Sequence, residues 1–289
     1  GGFLIKVAIV GAGCVGKTLG LALKEKGYKL VGLVTSRADT ASKAAEMLGT
    51  IHFDEPAALS RIADLVFITT PDRLIGKVTS QIASKKGFKP GQVVLHTSGS
   101  FSSSILSPAA YLGAKIASFH PLQTFPDVES GLKSLPGTYF VAEGDKEALL
   151  LAAQLAKDLQ GNYLEIATEM KPLYHAAACV VCNYLVTLLD MGLNFLARAG
   201  LKKAGLEPVM PLIQATLKNV ANKGVIASLT GPIVRGDAAT VASHLKAIEE
   251  HLPHFKQLYC HLGRQTVLLA DLKASLDDYS KKEITNILG

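Results

Sequence analysis

Residues 4–16 read LIKVAIVGAGCVG, and this stretch decides the fold class. The largely apolar run at 4–10 is typical of a buried strand, and it stops at Gly11. Helix-forming residues follow from 15 to 26, so the stretch predicts a strand, a tight turn and a helix. Its glycines fit the spacing GxGxxG at the junction where a dinucleotide-binding βαβ unit places that motif.

The glycine loop has a physical role at each of its three glycines. Gly11 permits the tight turn, Gly13 lets the backbone approach a pyrophosphate, and Gly16 lets the helix pack close to the strand. The helix N-terminus adds amide donors and positive potential. The alternative is a glycine turn that binds nothing. We expect the cofactor to contact six loop residues: Gly11, Ala12, Gly13, Cys14, Val15 and Gly16.

The end of the second predicted strand, 29–34, indicates which dinucleotide is bound. An NAD enzyme carries an acidic residue there for the ribose 2′-hydroxyl, whereas this chain has Thr35, Ser36 and Arg37. Arg37 can pair with a 2′-phosphate and Ser36 can donate to it. NADP is therefore the expected cofactor, with NAD as the alternative because Asp39 stands nearby.

The remaining sequence predicts two domains. Strands and helices alternate up to residue 166, which is typical of parallel βαβ units, and only helices follow. We predict an α/β domain with a Rossmann-type, mostly parallel sheet over 1–166 and an all-α domain over 167–289. Thr70 and Pro71 close a predicted strand and are expected to contact the cofactor. Beyond the first two strands, we predict strands at 63–69, 92–96, 114–119, 138–142 and 162–166, and helices at 38–48, 74–86, 146–160, 171–199, 208–222, 238–250, 253–275 and 278–288.

Composition excludes several classes of protein. The 289 residues are 48% hydrophobic and 19% charged, unlike a disordered chain. The net charge of +6 forms no long basic block and there is no Trp, so no nucleic-acid partner is expected. Cys179 and Cys182 have the CxxC spacing, but they fall inside an apolar helical run, and we expect buried structural thiols rather than a redox pair. The longest uncharged stretch, 176–189, is shorter than a bilayer span. We expect a cytoplasmic protein with no membrane partner and no metal site.

Three motifs in the middle and second half of the chain carry a family resemblance: SFHPLQTF at 118–125, YHAA at 174–177, and LTGPIVRGD at 229–237 with His244-Leu245 after it. As a set they resemble a family of predicted oxidoreductases with a Rossmann-like domain and a C-terminal helical domain of unknown function. That family is similar to the superfamily of 6-phosphogluconate dehydrogenase and pyrroline-5-carboxylate reductase. The resemblance covers nearly the whole chain and implies an NADP-dependent reductase. Some members are believed to reduce ketopantoate, so it implies a small carboxylate-bearing keto acid of that type, or an imine, as substrate.

The superfamily also places a catalytic Lys on the first long helix of the second domain, with an Asn four residues later. Here Lys171 begins that helix, but His175 stands four residues on and the nearest Asn is Asn183. About 120° separates Asn183 from Lys171 around an ideal helix, so the usual pair does not carry over. Lys171 and His175 share a helix face and are candidate catalytic residues. The alternative is that Lys171 is solvated in the first turn and His175 is an ordinary interface histidine.

Loops that follow strands supply the other candidate residues. His120 ends a strand at the carboxyl edge of the predicted sheet, where ligands gather in open α/β folds, and Ser98 follows the preceding strand. Both are candidate catalytic residues; the alternatives are a turn-stabilising histidine and a plain serine-rich loop. Arg235 can clamp a carboxylate bidentately or pair only with Asp237. Three residues are expected to bind substrate: Gln123, Asn183 and Arg235.

Two expectations concern the assembled protein. We expect His120 and His175 to face each other across the interdomain cleft, one of them protonating the substrate, so that the reduction rate falls as pH rises through an imidazole pKa of about 6.5. We also expect a homodimer through the helical half, because 176–199 is apolar around most of a helix. Two competing functions stay open: a non-catalytic NADP-binding sensor or assembly protein, and a dehydrogenase of the prephenate type.

Overall fold

The computed structural model describes residues 4–36, 38–201 and 205–289, which form two compact units divided between Val181 and Cys182. The first unit contains a sheet with helices, and the second contains helices only within the described ranges. The predicted order of an α/β fold followed by an all-α region is therefore confirmed. The units divide later in the chain than the predicted domain boundary at 166/167, because the first helix after the sheet packs its Lys171 against the sheet edge.

The first unit is built on one seven-stranded sheet in the order β2-β1-β3-β4-β5-β6-β7. Neighbouring strands are parallel from β2 across to β5, β6 runs antiparallel to β5, and β7 is parallel to β6. Since parallel strands end at the same edge, the loops after β1 to β5 gather along one edge of the sheet. The strands are β1 (Lys6–Val10), β2 (Lys29–Val34), β3 (Leu65–Ile68), β4 (Val93–His96), β5 (Lys115–Pro121), β6 (Tyr139–Gly144) and β7 (Asn162–Glu165).

Helices cover both faces of this sheet. Val7 and Ile9 of β1 pack with Phe67 in one core, whereas Ala8 packs with Val66 in the other. All five side chains are fully buried, as expected for parallel strands covered on both faces. The helices described in the first unit are α1 (Cys14–Glu25), α2 (Ala38–Leu48), α3 (Pro56–Ile62), α4 (Asp72–Ser84), α5 (Ser107–Ala110), α6 (Val128–Ser134), α7 (Lys146–Asp158) and α8 (Lys171–Val181).

The second unit has a small core of its own. Val241, Val267 and Ile284 lie at its centre, and Asp237 accepts a hydrogen bond from the Thr240 backbone N–H at 3.0 Å, as expected for a helix N-cap. In contrast, no described residue of the helix at Met210–Lys223 is buried. The helices described in this unit are α9 (Asn183–Leu196), α10 (Met210–Lys223), α11 (Val225–Ser228), α12 (Ala238–His251), α13 (Lys256–Leu272) and α14 (Asp278–Leu288).

The helical segment 168–201, which runs through α8 and α9, is long and apolar enough to cross a membrane by length and composition. The apolar stretch here, 176–189, was predicted from the sequence to be too short to cross a bilayer, and this is wrong, because the helix and its apolar character continue beyond the uncharged residues. Core helices of soluble proteins share this length and composition, so these two properties alone do not show that the helix crosses a membrane. Large apolar side chains are exposed along the segment: Leu173, Val180, Val181, Tyr184, Val186 and Leu188. Exposed apolar surfaces of this kind usually mark a site of contact with another protein or a membrane.

Candidate active site

The glycine loop after β1 is tightly packed at two of its three glycines. Gly11 has a φ of +109°, and a Cβ there would stand 2.6 Å from the backbone of Thr69. A Cβ on Gly16 would stand 2.3 Å from the carbonyl oxygen of Gly11. Thr69 Oγ1 donates to that same oxygen at 2.6 Å. The close approach of β1, β3 and α1 therefore requires glycine at both positions.

The third glycine faces open space. A Cβ on Gly13 would meet no described atom within 4 Å. Gly13 precedes α1 without a side-chain cap on the first amides, and Thr70 Oγ1, beside the loop at the end of β3, is buried without a partner among the described atoms. Open approach, uncapped helix amides and an orphaned hydroxyl fit the pyrophosphate and sugar of a dinucleotide. The glycine loop, residues 11–16, and Thr70 together form what we call the cradle.

The other predicted cofactor residues surround the cradle. Ala12, Cys14 and Val15 are half-buried in the loop itself. Ser36 is exposed after β2, and Pro71 occupies the N-cap position of α4. Arg37 lies outside the described residues. Most of the predicted set thus lies at the ends of β1, β2 and β3.

Lys171, the first residue of α8, is buried, with 1% of its surface exposed. Its Nζ donates to the carbonyl oxygen of Ser98 at 2.9 Å and to Ser118 Oγ at 2.5 Å. Burial lowers the pKa of Lys171 to about 8, although the carboxylates of Glu143 and Asp72 act in the opposite direction. The alternative of a solvated lysine is therefore wrong, because the first turn of α8 places the ammonium between the ends of β4 and β5.

Ser98 holds the loop after β4 through its hydroxyl. Its Oγ donates to Asp72 Oδ2 at 2.7 Å and accepts from the backbone N–H groups of Ser100 and Phe101 at 3.2 and 3.1 Å. Ser100 Oγ donates to the same Asp72 oxygen at 2.8 Å. The Ser98 hydroxyl is thus bonded within the protein, and its carbonyl anchors Lys171.

His96, the last residue of β4, is fully buried with both ring nitrogens bonded. Nδ1 accepts from the Ser98 backbone N–H at 3.1 Å, so Nε2 carries the proton and donates to the carbonyl oxygen of Ser102 at 3.1 Å. Burial, and then the charge of Lys171, lower the pKa of His96 to about 4. His96 is therefore a neutral, structural histidine beneath the loop.

His120, near the end of β5, contacts a tyrosine of α8. Its Nδ1 lies 2.6 Å from the hydroxyl oxygen of Tyr174, and the two rings meet edge to face with centroids 5.6 Å apart. Burial, followed by the charges of Lys171 and His175, lowers the pKa of His120 to about 4. Burial raises the pKa of Tyr174 to about 12. Both groups are uncharged at neutral pH, which corrects the expectation of an ordinary imidazole pKa at His120.

His120 and His175 converge on Gly99. A Cβ at Gly99 would stand 2.9 Å from His120 Nε2 and 2.8 Å from His175 Cδ2. Both histidines belong to the first compact unit, so their proximity does not depend on a cleft between units. Cys179, one turn beyond His175, is a free thiol whose Sγ lies 4.0 Å from both ring nitrogens of His175.

A buried carboxylate supports this set of side chains from β6. Glu143 pairs with Ser118 in the β5–β6 register. It accepts from the Ser103 backbone N–H at 2.7 Å, the Ser103 hydroxyl at 2.8 Å and the Thr168 hydroxyl at 2.9 Å. These donors bond both carboxylate oxygens and compensate the burial of the charge.

The polar side chains at the ends of β4 and β5, together with the polar side chains that surround them, are called the network. Its members are Asp72, His96, Ser98, Ser118, His120, Glu143, Lys171, Tyr174 and His175.

The three predicted substrate-binding residues lie outside the network. Gln123 is exposed, and its Oε1 accepts from the backbone N–H of the next residue, Thr124, at 2.8 Å. Asn183 and Arg235 are exposed and belong to the second unit.

Five network residues had no predicted role: Asp72, His96, Ser118, Glu143 and Tyr174. Two of them had a signal in the sequence, since Ser118 and Tyr174 stand in the motifs SFHPLQTF and YHAA beside the predicted histidines. Glu143 interrupts an otherwise apolar strand, which is itself unusual for a carboxylate. Asp72 follows a strand end directly after Thr70 and Pro71, but nothing local links it to Ser98.

A cavity of about 660 Å³ lies elsewhere, in the second unit. Its described lining is mostly apolar and includes the basic side chains Arg198, His244 and His251, with no carboxylate among the described residues. His244 Nδ1 lies 2.8 Å from the hydroxyl of Tyr259. The network is the stronger candidate site, because it combines shifted pKa values with a position on the sheet edge that also carries the cradle.

Two family models match successive parts of the chain. Residues 3–121 match the family described as Rossmann-like domain, and residues 138–266 match the family described as Domain of unknown function (DUF2520). The chain therefore contains a Rossmann-like domain followed by a DUF2520 domain. Ser98 and His120 lie in the Rossmann-like match, whereas Lys171, Tyr174 and His175 lie in the DUF2520 match. The network is thus assembled from both. No curated protein matches the chain.

Solved structures share the fold. Protein TM1727 from Thermotoga maritima is 27% identical, with a TM-score of 0.72 over 93% of this chain and 98% of that chain. The "putative NADP oxidoreductase BF3122" from Bacteroides fragilis is 20% identical, with a TM-score of 0.71 over 94% and 98% of the two chains. Pyrroline carboxylate reductase from Plasmodium falciparum, solved with NADP bound, is 12% identical, with a TM-score of 0.58 over 100% of both chains. The last two likenesses show the fold alone.

Proposed function

We propose that the protein is an NADP-dependent oxidoreductase that reduces the carbonyl or imine carbon of a small carboxylate-bearing substrate, with a ketopantoate-like 2-keto acid as the first candidate. One observation supports this most strongly: the open cradle and the network lie along the same edge of one sheet, where the parallel strands β1 to β5 end. In open α/β folds that edge holds nucleotide and substrate together. Two structural neighbours are named for NADP, which agrees with the proposal.

The reaction adds a hydride to carbon and a proton to oxygen or nitrogen. NADPH, held by the glycine loop and Thr70, supplies the hydride when bound. His120, uncharged at neutral pH, donates a hydrogen bond to the reacting oxygen, as neutral imidazoles can. His175, across Gly99, transfers the proton.

Lys171 acts through its charge rather than by direct contact. Its Nζ is held by Ser98 and Ser118, and with a pKa of about 8 it is positively charged at neutral pH. A fixed positive charge beside a developing alkoxide stabilises the transition state in a buried site. The network therefore supplies a hydrogen-bond donor, a proton donor and a cation.

The preference for NADP over NAD is part of the same proposal. It rests on Ser36 and Arg37 standing where an NAD enzyme has an acid. NADPH should bind about 10- to 100-fold more tightly than NADH, the scale of one charge-assisted contact. Fluorescence titration of the parent and of Arg37→Ala checks this, since the gap should shrink in the variant. Equal affinities in the parent would contradict it.

Turnover separates the proposed function from its rivals. NADPH oxidation should be detected with at least one member of a panel of 2-keto acids and cyclic imines. A protein that binds NADPH but oxidises it with no member is a sensor or assembly protein. Reduction of NADP or NAD by prephenate, without activity on the panel, would favour the prephenate-type alternative.

We also propose that the chain is a cytoplasmic homodimer joined through α9 and α10. Tyr184 and Val186 of α9 and Leu212 and Leu217 of α10 are all more than half exposed, although helices depend mainly on packing an apolar face. A second copy covers this surface better than lipid does, because α9 also carries Asp190, whose burial in a bilayer is unfavourable. Light scattering should give the mass of a dimer, and a monomer at micromolar concentration would contradict the proposal.

A further inference from the structure

We infer that Tyr174 is a positioning residue for His120: its hydroxyl donates to Nδ1 and holds the ring in the Nε2–H tautomer, with that N–H turned toward the space beside Gly99. The role of the N–H toward a substrate rests on the proposed function, whereas the tautomer does not. Tyr174 lies one helical turn beyond Lys171 on α8, and His120 belongs to β5. The contact therefore joins the helix to the sheet at the network.

The hydrogen-bond partners of the Tyr174 hydroxyl indicate which atom donates. His120 Nδ1 lies 2.6 Å from the hydroxyl oxygen and is the one acceptor that the described residues offer it. If Nδ1 donated instead, the hydroxyl hydrogen would have no described acceptor, whereas the lone pair of a neutral imidazole can accept that hydrogen. We therefore assign the tyrosine as the donor. An accepting Nδ1 carries no proton, so the neutral ring must carry its proton on Nε2.

The surroundings keep both partners in these protonation states. Burial is the largest cause in each case, lowering the pKa of His120 to about 4 and raising the pKa of Tyr174 to about 12. Lys171 Nζ lies 5.8 Å from the centre of the Tyr174 ring, and its positive charge opposes an imidazolium at His120. Between these values the tyrosine keeps its proton and the imidazole does not gain a second one.

The opposite edge of the His120 ring lies beside Gly99, and no hydrogen bond to Nε2 is found among the described residues. A Cβ at Gly99 would approach His120 Cε1 and Nε2 to 2.9 Å, so any larger residue would block the N–H. A fixed N–H is a donor, and its partner must accept. A carbonyl oxygen accepts well, whereas a protonated imine has no free lone pair. The tautomer therefore favours a keto acid over an iminium as the substrate of the proposed reaction.

The test reads the ring nitrogens of the protein without ligand. In protein labelled with ¹⁵N at histidine, His120 is assigned by the signals missing from His120→Gln. We expect a pyridine-like Nδ1 and a protonated Nε2 in the parent. In Tyr174→Phe the Nδ1 signal should move toward the position of a pyridine-like nitrogen that accepts no hydrogen bond. Tyr111→Phe, at an exposed tyrosine directly after α5, is the matched control and should leave both signals unchanged.

Two results would overturn the inference: a protonated Nδ1 in the parent, or an Nδ1 signal that does not move in Tyr174→Phe. If that variant does not fold, the parent spectrum still decides the tautomer. With a turned-over substrate, Tyr174→Phe should lower kcat about five- to tenfold, the scale of one hydrogen bond, with KM and NADPH affinity within about twofold. An unchanged kcat would overturn the positioning role. Absence of turnover in the parent itself would instead count against the proposed function.

Discussion

The cradle and the network occupy two halves of one sheet edge, but they are built in different ways. The cradle is made largely of backbone from a single run, 11–16, and is open at Gly13. The network is made of side chains that lie far apart in sequence, from Asp72 to His175, and its Lys171 and His96 are closed off from solvent. In the proposed function, recognition of the cofactor depends on the shape of the cradle, whereas the chemistry depends on the burial and charge of the network. Changes in one half should therefore leave the function of the other half intact.

The largest effect is expected from the network. His120→Ala removes the neutral donor at the reacting oxygen, and should lower kcat by about 10² to 10³, the usual contribution of one hydrogen-bond donor to a developing oxyanion. NADPH affinity should stay within about twofold because the cradle is untouched. Steady-state kinetics and NADPH titration measure the two effects. His261→Ala, an exposed histidine of α13, is the control, and equal kcat in both variants would contradict the assignment.

A substitution in the cradle, Gly13→Ala, should weaken NADPH binding without unfolding the protein. Gly13 has an ordinary φ of −75° and no described atom near its added Cβ, so Gly13→Ala should fold with a stability within about 1 kcal/mol of the parent. The methyl group would nevertheless stand where the pyrophosphate approaches. NADPH affinity should fall about 10- to 100-fold, the scale of an overpacked contact.

Calorimetric titration and urea denaturation separate these two effects of Gly13→Ala. Gly192→Ala is the matched control, because a Cβ at Gly192 in α9 also meets no described atom. If both variants bind NADPH as the parent does, the cofactor does not lie at the glycine loop.

The smallest effect concerns the burial that distinguishes the network. The pKa of His96 is about 4 in the folded protein and about 6.5 in the unfolded chain. Between these values the unfolded state binds more protons, so stability must fall as pH falls from about 6.5 toward 4. The contribution of His96 to this loss is about 2 kcal/mol between pH 7 and pH 5. His96→Asn should lose correspondingly less stability over that interval in urea denaturation, and an identical loss would contradict the buried neutral state.

Local patterns were sufficient to predict most of the fold. β2, α2 and α14 occupy the predicted ranges 29–34, 38–48 and 278–288, because apolar periodicity and turn residues are adjacent in sequence. The antiparallel direction of β6 was not predictable, since strand direction depends on how the chain returns to the sheet. The predicted helix at 171–199 is interrupted at Cys182, where no Gly or Pro marks a break. α3 and α6 are short and have too few turns for a clear period.

The site divides in the same way. The cradle was predictable because one motif holds its residues and their purpose together. The pair His120 and His175 was predicted to be close, and the structure brings both rings to Gly99. The environment of the two rings was not predictable. The low pKa of His120 depends on its burial and on the charge of Lys171, which is 51 positions away in the sequence. No local sequence pattern shows that the fold brings these two residues together. For the same reason, the buried state of Lys171 could not be seen from its place in a first helical turn.

Transfer of isotope from cofactor to product tests the central claim, that the sheet edge carries out hydride transfer, most directly. The parent is incubated with NADPH carrying deuterium at one or the other face of nicotinamide C4, together with the panel of 2-keto acids and cyclic imines, and the products are analysed by mass spectrometry. We predict that one of the two labelled cofactors, and not the other, delivers one deuterium to the reduced carbon of a keto acid, and that His120→Ala delivers far less. Tight NADPH binding without deuterium in any product would contradict the claim.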